Sequence, residues 1–321
     1  MDQHTLVIFM VLEEELQRGF INELEANGVK VIIPEEVKTE ESIVRIVLEN
    51  NADMVLAGGE PWNAKTLSQC RGTLKMISKF GVGFDNIDLE AAKENGIIVT
   101  NTPGQNANAV AEMAMAMILG LRRKLKWYDT MMQNDRWGRE FAYELTGKTV
   151  GLVGFGNIAK HLARMLGGFG CNIIAYDIYF DEKTAEELGV KRVTLDELFA
   201  ESDVISLHCP LNDETRDLVR KETIAKMKDG VWIINTSRGG TVNVDDLKEA
   251  LDSGKVAGAG LDVHPKEPVK PGYILKGMDN VILSPHAATT TREAMYNMTK
   301  YCFVHLNEYL SGSEITNRLT K

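Results

Sequence analysis

Between Thr5 and Thr100, short apolar runs alternate with stretches whose apolar residues recur every three or four positions. Residues 6–9, 29–33, 53–57, 74–78 and 97–99 read as strands. Gly28 stands where a helix C-terminus favours a left-handed residue, and Asp88 precedes Leu89, Ala91 and Ala92 as an N-cap for a helix that Gly96 ends. The rhythm restarts at Lys148, with strand patterns at residues 149–153, 172–176, 190–193, 203–207, 231–235, 256–260 and 281–283. Such alternation predicts parallel sheets covered by helices.

Between the two blocks, Thr102-Pro103-Gly104 is a turn signal, and the hinge is expected near Pro103. A helical pattern follows over residues 106–124, then an arm carrying Trp127 and Trp137, both expected to be exposed in one chain and to be covered by a second. A last helical pattern covers residues 291–310, with no role assigned by periodicity.

Composition narrows the function classes. The chain has 321 residues, 44% hydrophobic and 26% charged, which excludes a disordered or fibrous protein and is long enough for two domains with their own cores. Thirty-six Lys and Arg against 46 Asp and Glu leave a net charge of −10, which argues against nucleic acid or an anionic membrane as partner. Cys70, Cys171, Cys209 and Cys302 form no C-x-x-C pair, so neither a disulfide framework nor a thiolate metal site is read, and a reducing cytoplasm is expected. The apolar run from Leu6 to Leu12 is too short to span a membrane and reads as a first strand leading into Glu13, Glu14 and Glu15. The apolar stretch from Ala107 to Leu121 contains Glu112 and suits a buried helix; no targeting signal is read.

The most informative stretch is Val150-Gly151-Leu152-Val153-Gly154-Phe155-Gly156-Asn157-Ile158-Ala159, a strand running into G-x-G-x-x-A and then a helix. Gly154 permits the tight turn, Gly156 lets a pyrophosphate approach the backbone, and Ala159 lets the helix lie close to the sheet. Asp177 follows the next strand at the spacing of a carboxylate that binds ribose hydroxyls. No Arg follows it to hold a 2′-phosphate, so NAD is favoured over NADP.

Three more clusters follow strands in this block: residues 235–240 with Arg238, residues 261–268 with Asp262, His264 and Glu267, and residues 284–288 with His286. Groups beyond the carboxyl ends of parallel strands line the ligand crevice of such sheets, so an Arg, a Glu and a His could converge there. Hydride transfer to a carbonyl needs an acid for the oxygen and a cation for the substrate's charge, and this set contains both. A carboxylate beside a histidine stabilises the imidazolium form. His264 and His161 have no such motif support and are read as structural, and Cys209 as a buried packing residue.

With these residues the chain resembles the D-isomer-specific 2-hydroxyacid dehydrogenases over nearly its whole length. Gly81-Val82-Gly83-Phe84-Asp85-Asn86-Ile87-Asp88, Val110-Ala111-Glu112, the nucleotide turn and the three clusters carry the resemblance. It implies an NAD-dependent oxidoreductase acting on the CH–OH group of a small 2-hydroxy acid. Arg238 would grip the 2-oxo acid, His286 exchange the proton, Glu267 pair with it, and backbone N–H groups around Val82 and Gly83 hold the substrate carboxylate. Gly154, Gly156, Asn157, Ile158 and Asp177 would contact the cofactor, as would His208, Pro210, Thr215, Thr236, Asp262, His286 and Ala288.

The fold so implied is α/β, two Rossmann-like doubly wound parallel-sheet domains with a cleft between them. Residues 1–103 with 289–321 would form the substrate domain and residues 104–288 the NAD-binding domain. Family members are usually homodimers through the connecting helix and arm, which would bring Trp137 toward the partner subunit. Within the family the chain is nearest to phosphoglycerate dehydrogenase-like and hydroxypyruvate or glyoxylate reductase-like enzymes. In the loop Ala57-Gly58-Gly59-Glu60-Pro61-Trp62-Asn63, Glu60 stands where the former tend to place an Arg, and it is expected to repel a substrate phosphate unless Lys65, Arg71 or Lys79 compensates. No serine-sensing domain is expected beyond Lys321. An unphosphorylated acid of the hydroxypyruvate or glyoxylate type is expected, with short-form D-3-phosphoglycerate dehydrogenase as the alternative. An NAD(H)-sensing corepressor-like protein is a rival from another class, and a Rossmann methyltransferase leaves the Arg, Glu and His clusters unexplained.

Overall fold

The computed structural model describes residues 4–10, 14–35 and 39–321. The chain divides into two units, Met1–Asn106 with Thr291–Lys321, and Ala107–Thr290.

In the first unit, β1 (Thr5–Ile8), β2 (Lys30–Ile32), β3 (Met54–Ala57), β4 (Met76–Lys79) and β5 (Ile98–Thr100) form one parallel sheet in the order β2-β1-β3-β4-β5. β1, β3 and β4 are buried throughout, as strands covered on both faces must be. Alternate residues serve alternate faces. Val7, Val55 and Ile77 pack with α2 (Glu40–Glu49) and α3 (Ala64–Gln69) through Ile43, Val47 and Leu67. Leu6, Ile8, Met54, Leu56 and Met76 pack on the other face with α1 (Glu14–Ala26) and α12 (Arg292–Ser311) through Leu24, Met298, Phe303 and Leu306. Thus the last helix has a role that its period alone did not show: it closes this sheet, its Phe303 stacked on Phe20 at 5.1 Å. Asp88 accepts from the Ala91 N–H as N-cap of α4 (Leu89–Glu94), and Gly96 has a positive φ just past its end.

In the second unit, β6 (Thr149–Val153), β7 (Asn172–Tyr176), β8 (Val190–Arg192), β9 (Val204–Leu207), β10 (Val231–Asn235), β11 (Val256–Leu261) and β12 (Val281–Leu283) form a parallel sheet ordered β12-β11-β10-β9-β6-β7-β8. Counted from β6 this is the 3-2-1-4-5-6 order of dinucleotide-binding sheets with one strand added. α5 (Ala107–Arg122) and α7 (Asn157–Gly168) cover one face, meeting Val150, Leu152 and Ile234 through Ala114, Ile118, Ala159 and Leu162. The other face is covered by α9 (Leu195–Glu201), α10 (Lys221–Lys226) and α11 (Val244–Ser253), where Leu198, Ile224 and Leu247 meet Ile205, Ile233 and Ala259. The shorter α8 (Glu182–Leu188) precedes β8. Among the described residues no helix is long and apolar enough to cross a membrane.

The strand patterns read from the sequence all form, with ends moved by at most two residues. Three expectations need correction. The opening run does not continue as a strand past Ile8, and Val11, Leu12 and Glu13 lie outside the described residues. The helix expected to reach Lys124 ends at Arg122, and Lys124 is left-handed (φ 54°) before α6 (Leu125–Gln133). Arg122 is buried, donating to the Glu144 carbonyl at 2.6 Å and facing the Tyr143 and Trp232 rings, which explains why the chain turns there. Trp127 is half-buried against Tyr128, edge to face at 5.1 Å; Trp137 is the exposed one, at 80%.

Candidate functional site

The site residues of the second unit lie just past the carboxyl ends of β6, β7, β9, β10, β11 and β12. At β6 the chain turns through Gly154 with φ 93°, its N–H donating to the Tyr176 carbonyl at 2.8 Å. A Cβ there would stand 2.8 Å from the His208 carbonyl carbon and 2.9 Å from its oxygen, so neither the φ nor the space tolerates a side chain. Gly156 is the N-cap of α7 and supplies no side-chain oxygen, unlike Asn63, Asp88, Thr194, Asn243 and Thr291 at other helix starts. The first amides of α7, beginning at Asn157 and Ile158, therefore lack a side-chain cap. A Cβ on Gly156 would meet only open space, the space a diphosphate occupies at such a turn.

Asp177 follows β7 directly. Its Oδ2 accepts from the Phe155 N–H at 2.6 Å and its Oδ1 from the Tyr179 N–H at 2.8 Å, which fixes the carboxylate beside the turn and leaves each oxygen a further lone pair. Past β9, His208 Nε2 lies 2.9 Å from Ser206 Oγ while its shielded Nδ1 has no partner among the described residues. Burial lowers the His208 imidazolium to about 4, so the ring is neutral at pH 7. Thr215 bonds its own loop, donating to the Pro210 carbonyl and accepting from the Asn212 N–H. The buried Thr236 hydroxyl has no partner among the described residues. An uncapped helix start, an anchored carboxylate and two orphaned polar atoms fit a dinucleotide that would use them.

At the other end of the sheet, buried Asn235 ties its loop, donating to the Arg238 carbonyl at 3.0 Å and accepting from the Ser237 N–H and hydroxyl. Arg238 donates to the Ser237 carbonyl at 2.8 Å. After β11, Asp262 is 1% exposed, and its carboxylate holds the next loop: Oδ1 accepts from Ser284 Oγ and the Ala287 N–H, Oδ2 from the Ala288 N–H. Its carbonyl accepts from the His286 N–H at 2.7 Å. His286 adopts φ 55°, a conformation a non-glycine residue holds only when its surroundings impose it. Its Nδ1 lies 2.7 Å from Glu267 Oε2, and the two side chains are 45% and 35% exposed. A carboxylate accepts there, so Nδ1 carries the hydrogen and Nε2 is left to exchange a proton. Beside the pair lies a cavity of about 510 Å³, lined also by Val269, Lys276 and Leu283.

His264, expected to be structural, is connected to Glu267 through its N–H and to Ser284 through its ring. Its position three residues before Glu267 in one strand-end loop was the available signal. Cys209 is buried, and burial pushes its thiol up to about 11, as suits packing. His161, on α7, is half-buried. Among the described residues no group of three or more His, Cys, Asp or Glu is placed to hold a metal ion.

In the first unit, Val82 and Gly83 follow β4 on a partly exposed loop held by Asn101, which donates to the Val82 carbonyl at 2.7 Å. Their own N–H groups have no protein acceptor among the described residues. Glu60 does not face outward as a repelling charge. It is buried and accepts from the Gly58 N–H at 2.6 Å, its side chain folded back over the bend at Gly58-Gly59. Lys79 donates to the Phe80 carbonyl and Lys65 lies 3.9 Å from Glu40.

The order of the second sheet and the chemistry of its first turn are those of a dinucleotide-binding α/β unit. Residues 115–288 match the profile of the D-isomer specific 2-hydroxyacid dehydrogenase NAD-binding domain. The chain is 42% identical over 275 residues to a hydroxypyruvate reductase of Thermotoga maritima, covering 84% of each. It is 39% identical over 294 residues to a D-3-phosphoglycerate dehydrogenase of Archaeoglobus fulgidus, covering 90% of this chain and 55% of that one, so it spans little more than half of that relative's length. A crystal structure of a glyoxylate reductase from Paecilomyes thermophila superimposes with a TM-score of 0.90 at 29% identity, covering 99% of both chains. The chain belongs to the D-isomer specific 2-hydroxyacid dehydrogenase family, NAD-dependent oxidoreductases that act on CH–OH groups.

Proposed function

We propose that the protein catalyses reversible hydride transfer between NADH and a small unphosphorylated 2-oxo acid of the hydroxypyruvate or glyoxylate type. The observation that carries this reading is the His286–Glu267 contact, 2.7 Å through Nδ1 with Nε2 left available. When bound, NADH supplies the hydride that C2 of the acid receives. His286 delivers a proton from Nε2 to the oxygen on C2, and in the oxidative direction Nε2 takes it back. Glu267 holds the ring by Nδ1 and balances the imidazolium charge. Arg238 supplies a positive charge to the substrate, and the amides of Val82 and Gly83, without a protein acceptor among the described residues, are the groups proposed for its carboxylate.

Support for an unphosphorylated tail comes from the 42% identical reductase and from the lysines, since Lys79 and Lys65 already have protein partners. D-3-phosphoglycerate dehydrogenation is a second reading, favoured by the 39% identical relative and by the inward turn of Glu60, which takes its carboxylate off the loop surface. NADH oxidation with glyoxylate, hydroxypyruvate, pyruvate and phosphohydroxypyruvate separates the readings. Highest kcat/KM with an unphosphorylated acid is expected, preference for phosphohydroxypyruvate installs the second reading, and silence with all four despite NADH binding overturns both.

The active form is proposed to be a homodimer built on the arm after α5. Trp137 and Phe141 there are 80% and 96% exposed, with Leu125 and Met132 also exposed, an apolar surface of the kind a second subunit covers. Light scattering behind gel filtration should give twice the chain mass, and a monomer at micromolar concentration would remove this part of the proposal.

A further inference from the structure

His264 joins the loops that carry Arg238, Glu267 and His286. It is 6% exposed, and its N–H donates to Glu267 Oε1 at 2.9 Å while the other carboxylate oxygen meets His286. Its carbonyl group lies against Gly239, the residue after Arg238, so closely that a Cβ on Gly239 would run into the His264 carbonyl and the Pro265 nitrogen. Its ring Nε2 lies 2.9 Å from the Ser284 carbonyl, two residues before His286. A carbonyl only accepts, so Nε2 carries the hydrogen. Nδ1 is then the accepting side, where the Tyr273 hydroxyl stands at 3.4 Å and the two rings meet edge to face at 5.4 Å. Burial raises the Tyr273 phenol, which keeps it a donor.

The φ of 55° at His286 has to be imposed by its neighbours. Asp262 holds the loop by its carbonyl and carboxylate, and His264 holds it by the Ser284 carbonyl. Resting on the reading of His286 as the proton carrier, we propose that the His264 side chain is a positioning residue: by donating Nε2–H to Ser284 it sets the backbone that presents His286 to Glu267. Without that donor the Ser284 carbonyl loses its partner and the loop relaxes on one side. Proton transfer is sensitive to such a shift, since a misplacement of about 1 Å can lower a rate about 100-fold.

Two substitutions separate the donor from the packing. His264→Phe keeps a ring and removes the donor, whereas His264→Gln places an amide N–H near the position of Nε2. In the full chain, His264→Phe is expected to lower kcat about 10- to 100-fold while KM and NADH affinity stay within about two-fold, and His264→Gln to restore most of the loss. The low-field proton resonance of the His286 Nδ1–H shared with Glu267 should weaken in the Phe variant and return in the Gln variant. Wild-type kcat and resonance in His264→Phe overturn the proposal, and so does equal impairment in both variants. If His264→Phe does not unfold cooperatively, His264→Leu takes its place under the same criteria. The resonance needs no turnover, so a wild-type chain inactive on every 2-oxo acid would sink the proposed function while the resonance still decides the role of His264.

Discussion

The sheet of the first unit reverses its order at β1, with β2 on one side and β3 on the other; that of the second reverses at β6, between β7 and β9. Each is a switch point, where open parallel sheets offer a crevice beyond the strand ends. At β1 the chain leaves through Phe9, fully buried and edge to face with Trp62 at 5.9 Å, so bulky rings fill the position. At β6 it leaves through Gly154 and Gly156, and the space stays open above an uncapped helix start. The shared topology supplies the place; the size of the first residues past the strand decides whether a nucleotide can enter it.

The largest effect should come from the proton carrier proposed for the second unit. His286→Ala is expected to lower kcat by about 10²- to 10⁴-fold while NADH binding, followed by fluorescence, persists. Unchanged turnover would return His286 to a structural role.

The glycines test the comparison itself. Gly154→Ala is expected to weaken NADH binding by at least about ten-fold, because the new methyl meets the His208 backbone at 2.8 Å where nothing flexible can yield. Gly28→Ala in the first unit has the same sign of φ, 84°, but open space, and should lower stability by only about 1–2 kcal/mol without touching NADH affinity. Equal losses of NADH affinity in the two variants would break the distinction drawn between the switch points.

Asp177→Ala removes a carboxylate that repels a 2′-phosphate and is free to bind ribose. The preference for NAD over NADP should fall by about ten-fold, the worth of one charge-assisted hydrogen bond of about 1.5 kcal/mol. A cofactor ratio that does not move would make Asp177 only the clamp between Phe155 and Tyr179.

The smallest effect concerns the first unit. His305 on α12 is fully buried, neither ring nitrogen has a partner among the described residues, and burial lowers its pKa from 6.5. The unfolded chain therefore takes up the proton more readily than the folded one, and stability falls as pH drops below about 6.5. His305→Leu should narrow the difference in Tm between pH 7 and pH 5 by a few degrees, consistent with about 1 kcal/mol. An unchanged difference would locate the acid sensitivity elsewhere, with His208 of the second unit the next residue to replace.

Much of the fold was legible because strands and turns announce themselves within a few consecutive residues. The run from Thr149 to Val153 followed by Gly154 needs no distant partner to be read as a strand and a tight turn. Glu60 is not legible in this way: a charge in a glycine loop looks solvated along the chain, and only the fold brings the Gly58 N–H to it. Trp127 and Trp137 look alike along the chain, yet one is half-buried edge to face with Tyr128 and the other stands in solvent. His264 lacked a motif because its partners are Glu267 and Ser284, the latter 20 residues away on another strand's loop.

The sequence alone determined the strand and helix alternation, the Asp88 cap, the glycine turn and the acid at Asp177, since each depends on local periodicity and on the stereochemistry of neighbouring residues. Tertiary structure decided which loops meet: the order of β10, β11 and β12 sets Gly239 against the His264 carbonyl and brings His286 to Glu267 across 19 residues. It also decided that α12 closes the first sheet, where a helix of weak amphipathic pattern gains stability from Met298, Phe303 and Leu306 against strands more than 200 residues earlier. Those outcomes depend on burial and on contacts between distant segments, and burial exists only once the sheets have formed.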